Sequence, residues 1–378
     1  MRAPHPQLDA ENEAIHRRQT ASDRPGVAQP VPLRPVPAQP WNRIFVATVV
    51  LFALLLGAWE WHWRNFGAEP HINDSDALWA IQRRRIDNGE GNATVIAGAS
   101  RVFFDIQLDV WQKLDGERPI QLAMEGSTPI PVLEDLADDP KFTGRLIVGV
   151  APELFFSGWG HRGKRVTKYT REQSPYQHVG QWLSSRFIEP YFAFDDPDYA
   201  LATVLKRLPW PDRPGKPSDL AVRKLAVIVA DDRAAHMWSK VENDPAYRAL
   251  ARRIWTQDFN SPDVPSPEEL AKMSDKQIAL AVKAVNKLRA RGVKVLFVRA
   301  PSFGPYLEFD NRLFPRKSSW DVLLAKTGAP GIHFRDYPQL QGFWSPEWSH
   351  LARADAKKFS AALYRIISEK YWPGAPGQ

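Results

Sequence analysis

Hydrophobic and polar positions divide this chain into regimes with different periods. Residues 1–40 are rich in Pro and Ala, polar, and follow neither a helical nor a strand period, which predicts a disordered arm. From Ile44 to Trp59 sixteen residues pass without a charge. With Trp41 before the run and Trp61 and Trp63 after it, the segment 41–63 predicts one transmembrane helix across a bilayer core about 30 Å thick. Segment 64–91 follows as a juxtamembrane region, with Asn73-Asp74-Ser75 placed to cap a helix that ends near Asn88-Gly89.

From residue 92 the period alternates. Thr94 to Ala97 is a short β-branched run and reads as a buried strand. Phe103, Ile106, Val110 and Leu114 have helical spacing. Pro119–Ala123 and Leu146–Val150 read as two more strands, with a helix beginning at Pro131 between them. The pattern breaks from about 155 to 265, where Trp, Pro, Tyr and Phe are frequent and no strand is evident; this predicts a helical insertion. A capping-box spacing at Ser274–Gln277 opens the next helix. Val293–Val298 is a fourth strand, Ile332–Phe334 a fifth, and Leu351–Ile367 a terminal helix. Strands alternating with helices predict an α/β fold with a parallel sheet over residues 92–370, followed by a flexible tail at 371–378.

Composition narrows the chemistry. The absence of Cys excludes disulfides, thiolate catalysis and zinc-thiolate sites. The net charge of +7 is spread through mixed sequence without a basic block, so nucleic acid is not an expected partner. Arg17, Arg18, Arg24, Arg34 and Arg43 precede the apolar run, which predicts a cytoplasmic N-terminus and a C-terminal domain outside the cytoplasmic (inner) membrane.

Two stretches carry candidate chemistry. Val95-Ile96-Ala97-Gly98-Ala99-Ser100-Arg101 is a strand that stops at a glycine turn and presents a serine where a helix should begin. Glu347-Trp348-Ser349-His350 offers a carboxylate and a histidine on a loop before the last helix. Serine, histidine and acid are the parts of a nucleophilic acyl-transfer site. Asp336, after the fifth strand, competes with Glu347 for the orienting role. Gly126, after the second strand, is a candidate backbone donor to an oxyanion, together with Ser100. Arg101, Arg299 and Trp348 are candidate substrate contacts, and His161 lies in a glycine-rich loop.

In this order the blocks resemble the SGNH/GDSL superfamily of hydrolases and acyltransferases. Gly98-Ala99-Ser100 is similar to its strand-Gly-x-Ser block, with Ala99 where many members carry Asp. Gly126 falls where the family keeps an oxyanion glycine, and Glu347-x-x-His350 resembles its final Asp-x-x-His block with Glu in place of Asp. The resemblance implies a three-layer fold and an acyl-serine mechanism in which His350 is the base and Glu347 orients it. It implies no metal or cofactor. One departure stands out: Gly149-Val150-Ala151-Pro152-Glu153 replaces the family's Gly-x-Asn-Asp and removes an oxyanion donor, a loss of about 2.7–4 kcal/mol in other hydrolases.

With its N-terminal anchor, the chain looks like envelope proteins that modify polysaccharides, such as alginate O-acetylation factors. Two functions are therefore expected. One is an anchored serine acyltransferase or esterase acting on an envelope polysaccharide and supplied by a membrane-bound acyl-exporting protein. The other is a non-catalytic assembly or glycan-binding factor of the same fold.

Overall fold

The computed structural model describes residues 38–160, 162–163, 165–166, 174–207, 224–259 and 264–373. The expected arm up to residue 37, the loop residue His161 and the tail from 374 lie outside the described residues. The chain divides into two compact units, Met1–Leu55 and Leu56–Gln378.

Helix α1 (Trp41–Phe66) is long and apolar enough to cross a membrane. Its 26 residues extend about 39 Å at 1.5 Å per residue. Through Leu55 its side chains are exposed. The later turns belong to the second unit: Trp63 is buried there and stacks on Tyr199, with ring centroids 4.6 Å apart.

The second unit continues with α2 (Asp76–Arg85), capped by Ser75, whose hydroxyl accepts from the Leu78 N–H at 3.0 Å. Then follow β1 (Thr94–Ala97), α3 (Ser100–Asp105), α4 (Leu108–Asp115), β2 (Ile120–Gln121), α5 (Ile130–Asp138), β3 (Arg145–Gly149) and α6 (Pro152–Phe155). The single helix expected over 102–114 is two, because the chain is extended at Ile106 and Gln107. There the Gln107 N–H leaves the helical ladder and donates to Ser360 Oγ at 2.7 Å.

The insertion holds α7 (Pro175–Phe187), α8 (Leu201–Lys206), β4 (Ala226–Ile228), β5 (Ala235–Met237), α9 (Ser239–Asn243) and α10 (Pro245–Phe259). It is not purely helical, since β4 and β5 form an antiparallel pair. Arg233, in the turn of that hairpin, is fully buried and donates to the carbonyls of Gln121 and Ala123 at 2.8 Å each, pinning the hairpin to the end of β2.

Last come α11 (Pro267–Ala290), β6 (Lys294–Arg299), α12 (Gly304–Leu313), α13 (Trp320–Thr327), β7 (Gly331–His333) and α14 (Arg353–Lys370). Helix α11 begins earlier than the spacing at Ser274 predicts. Ser266 and Glu269 form its capping box ahead of a proline-led first turn, and Ser274 and Gln277 are buried mid-helix. At the C-terminus Trp372 is buried and Tyr371 shares a hydroxyl contact with Tyr337 at 2.8 Å, so the chain is packed past the expected tail boundary at 371.

Five parallel strands form one sheet in the order β2-β1-β3-β6-β7. Alternate strand residues enter two separate cores. Val95, Val148 and Phe297 pack with Leu133 of α5, Val285 of α11 and Leu323 of α13. Ile96, Ile147 and Leu296 pack with Phe103 of α3, Trp111 of α4 and Phe359 of α14. The chain leaves β1 to add β2 on one side and returns to add β3 on the other. The carboxyl ends of β1 and β3 are therefore the point where strand order reverses, the usual place for a ligand crevice in an open parallel sheet.

Candidate active site: serine, histidine and glutamate at the carboxyl end of the sheet

Two glycines shape this point. A Cβ on Gly98 would lie 2.2 Å from Val102 Cγ2 and 3.1 Å from the Gly149 Cα. A Cβ on Gly149 would lie 2.4 Å from Val102 Cγ1. The absence of both side chains lets Val102 settle over the ends of β1 and β3, which brings the first turn of α3 onto the sheet. Ser100 opens that turn.

His350 meets Ser100 there. Its Nε2 lies 2.8 Å from Ser100 Oγ, and its Nδ1 lies 2.9 Å from Glu347 Oε1. With the carboxylate accepting from Nδ1–H, Nε2 is left to accept the serine proton. Glu347 is fully buried and takes two further donors: the His350 backbone N–H on Oε1 at 2.7 Å and Trp255 Nε1 on Oε2 at 2.5 Å. His350 is buried too and packs on Phe104, with ring centroids 4.5 Å apart.

The loop carrying this pair is held from several sides. Trp348 adopts a left-handed backbone (φ +75°), a conformation that costs a residue of this size about 1–3 kcal/mol and is kept only where its surroundings enforce it. The Trp348 carbonyl accepts from the Phe303 N–H at 2.8 Å. Arg252 of α10 donates to the Pro346 carbonyl at 2.8 Å and lies over the Trp348 ring. The Leu351 N–H donates to Asp105 Oδ1 at 2.9 Å. Burial, reinforced by the charge of Glu347, pushes the Asp105 carboxyl well above the usual carboxylate range, while the Leu351 N–H and Arg101 oppose that shift.

Asp336 does not reach the histidine. Arg316 holds it in a two-pronged pair at 2.6 and 2.7 Å, which leaves Glu347 as the carboxylate on the His350 ring.

Arg101 and Arg299 do not face substrate either; both are buried in one ionic cluster. Arg299 Nη2 lies 2.6 Å from Asp310 Oδ2 and 2.9 Å from Ser302 Oγ. Arg101 lies 3.1 Å from the same Asp310 oxygen and 3.3 Å from Glu153 Oε1 and Ser349 Oγ. Burial works against every charge in this cluster. Arg101 and Arg299 overcome it at Asp310, whose carboxyl stays below its ordinary range. Glu153 goes the other way: burial raises it to about 7, with Arg101 opposing and the neighbouring Asp310 adding to the rise. Tyr306 donates its hydroxyl to Glu153 at 2.9 Å.

Trp348, expected at the substrate, packs instead against Arg252 and Gly304. Gly126 (φ +58°) shares with Ser100 the wall of a cavity of about 550 Å³. His350, Glu125, Glu153, Trp255 and Tyr306 line it too, as do Asn73, Asp196 and Lys224. Among the described residues no acceptor for the N–H of Ser100 or Gly126 is present. Ala151, where the resemblance calls for an asparagine donor, is buried and offers none.

Trp255, Tyr306 and Asp105 belong to the site without any sequence motif that marks them. Trp255 lies 92 residues from Glu347, and no local motif marks that contact. No family model matches the chain, and no curated protein does.

Proposed function

We propose that this chain is a membrane-anchored, extracytoplasmic serine acyltransferase or esterase that acts on an envelope polysaccharide through an acyl-serine intermediate. The observation that carries the reading is the Ser100–His350–Glu347 relay, with both bonds under 3 Å, at the wall of a cavity large enough for a sugar unit and its acyl group. Five parallel strands with their alternate residues in two helix-lined cores support the finer assignment to a three-layer, SGNH-like fold.

In this mechanism His350 Nε2 takes the Ser100 proton as Oγ adds to the donor's acyl carbonyl. The Ser100 and Gly126 N–H groups receive the oxyanion, and the imidazolium forms against Glu347. On collapse the imidazolium proton goes to the departing donor oxygen. A sugar hydroxyl or water, deprotonated by the same nitrogen, then attacks the acyl-serine carbonyl, and Ser100 Oγ leaves as the proton returns to it. The steps need no metal or cofactor. A membrane-bound exporter supplies the acyl donor, since acyl thioesters are cytoplasmic.

Ala151 favours a second reading, a non-catalytic assembly or glycan-binding factor, because the oxyanion site lacks a side-chain donor. A fluorophosphonate probe applied to the purified full chain in detergent decides between them. The catalytic reading expects labelling at Ser100 that is lost in Ser100→Ala and His350→Ala. No labelling at Ser100, with polysaccharide acylation in cells unaffected by Ser100→Ala, would establish the assembly factor instead.

A further inference from the structure

Helix α7 is amphipathic in the inverse sense for a helix packed on a folded domain. Its inward contacts are polar: buried Gln181 accepts from Ser75 Oγ at 2.5 Å and donates to Glu189 Oε1 at 3.4 Å. Its outward stripe is apolar. Tyr176, Val179, Leu183 and Phe187 recur at three- and four-residue intervals and are all exposed, Tyr176 to 76%. Exposed Tyr191 and Phe192 extend the patch beyond the helix. Apolar surface of this extent on a folded domain marks a contact with something apolar.

The turns of α1 within the same unit indicate what that is. Glu60 accepts from the Ala193 and Phe194 N–H groups at 3.0 and 2.8 Å, and Arg64 donates to the Tyr191 carbonyl at 2.8 Å. Trp59 Nε1 donates to the Tyr199 carbonyl at 3.1 Å. A helix entering a bilayer core near Trp41 leaves it after about 20 residues, at these same turns. The apolar patch is therefore bonded to the part of α1 that emerges at the lipid headgroups, where Trp and Tyr side chains are favoured. Helix α7 has no acidic residue and carries Arg186, which suits an anionic surface.

We propose that the outward face of α7, continued by Tyr191 and Phe192, lies in the lipid headgroup region beside α1 as a second, in-plane membrane contact. The proposal rests on α1 spanning the membrane. It does not depend on Ser100 being a nucleophile. Asp196, Pro197 and Asp198, a few residues beyond this patch, line the cavity that contains Ser100. Docking therefore sets that cavity beside the bilayer surface.

The chain has no cysteine, so single spin labels can be placed cleanly. Val179→Cys, Leu183→Cys and Phe187→Cys, with Lys272→Cys on α11 as a water-exposed control, are labelled in the full chain. The proteins are reconstituted in phosphatidylethanolamine–phosphatidylglycerol vesicles. Thermal melts verify that each variant is folded; all four positions are exposed in the structure. The proposal expects labels at 179, 183 and 187 to be more accessible to oxygen than to a soluble nickel chelate, with the reverse at 272. Nickel access at all four sites overturns it. Protection that appears only in native membranes, and not in pure lipid, also overturns it and identifies a membrane protein as the occupant. Fluorophosphonate labelling of Ser100, read separately, shows whether the catalytic reading stands.

Discussion

Glu347 receives three donors on two oxygens, and the side chains linked through it make separate predictions. The relay acts as one unit, so Ser100→Ala and His350→Ala are each expected to lower kcat for ester cleavage by about 10⁶, and the double variant by no more. Glu347→Gln leaves the serine and the base in place and is expected to cost about 10⁴; Asp336, tied to Arg316, cannot stand in for it. Trp255→Phe keeps most of the ring but leaves Oε2 of a buried carboxylate without its donor, a penalty of about 1–3 kcal/mol. A fall in kcat of about tenfold or more with p-nitrophenyl acetate, at little changed KM, is the expected result; no change would mean that Trp255 only packs. Glu153 makes a separate prediction, in stability. Its carboxyl is raised from 4.5 to about 7 in the folded protein, so the native state binds that proton more tightly than the unfolded chain. The stability it contributes is present below pH about 4.5 and is lost as pH rises through about 7. In urea titrations, wild type should therefore lose ground to Glu153→Gln across that window, and parallel curves would count against the raised carboxyl.

Among the elements, the glycine pair at the ends of β1 and β3 gives the sharpest test of how the fold sets the site. Gly149→Ala drives a methyl into Val102 and should destabilise the domain by about 1–3 kcal/mol. Adding Val102→Ala removes both clashing methyls, leaves only the Val102 Cβ at 3.0 Å, and should recover part of the loss. The same second change should rescue Gly98→Ala less well, because two atoms of the Gly149 backbone, which is fixed in the sheet, remain 3.1 and 3.3 Å from the new Cβ and Gly98 itself holds φ +158°. Urea midpoints of the four variants measure this, and equal rescue would show that Val102 alone sets the fit. These strands were legible in the sequence because they are buried on both faces: Thr94–Ala97, Leu146–Val150 and Val293–Val298 are nearly unbroken apolar runs. The β4–β5 hairpin was not. Each of its strands has three residues, too few to show a period, and Arg233 secures it by bonds to the distant carbonyls of β2. The start of α11 is obscured because the Ser274-x-x-Gln277 spacing inside the helix has the same form as the Ser266-x-x-Glu269 box that opens it. Ser100, Glu347 and His350 were legible through their local motifs, whereas Trp255 and Arg252 lie in an insertion whose role appears only in three dimensions. Deleting 155–265 would therefore remove supports of Glu347 along with any docking surface, and cannot by itself separate catalysis from assembly.

At the scale of the whole molecule, the side of the membrane that Ser100 occupies determines which substrates can reach it. Among the described residues α1 is the helix long and apolar enough to span, and six arginines precede its apolar core, five of them in the arm outside the described residues. Under the proposed topology the positive charge stays in the cytoplasm and the unit from Leu56 onward lies on the far side. There the acyl group arrives only if it is exported, and the acceptors at hand are the hydroxyls of envelope glycans and water. On the cytoplasmic side acyl thioesters would be available, and the same relay would serve a different donor and a different acceptor. Topology therefore decides between substrate classes that the relay geometry leaves equal. Fusions at the C-terminus of the full chain test it. A phosphatase reporter that folds only outside the cytoplasm should be active, and a fluorescent reporter that matures only inside should be dark. Replacing Arg17, Arg18, Arg24, Arg34 and Arg43 together with Glu should weaken or invert that pattern. A bright cytoplasmic reporter on the unmodified chain would reverse the assignment and remove the envelope polysaccharide as substrate, while leaving the Ser100–His350–Glu347 chemistry to be tested on cytoplasmic esters.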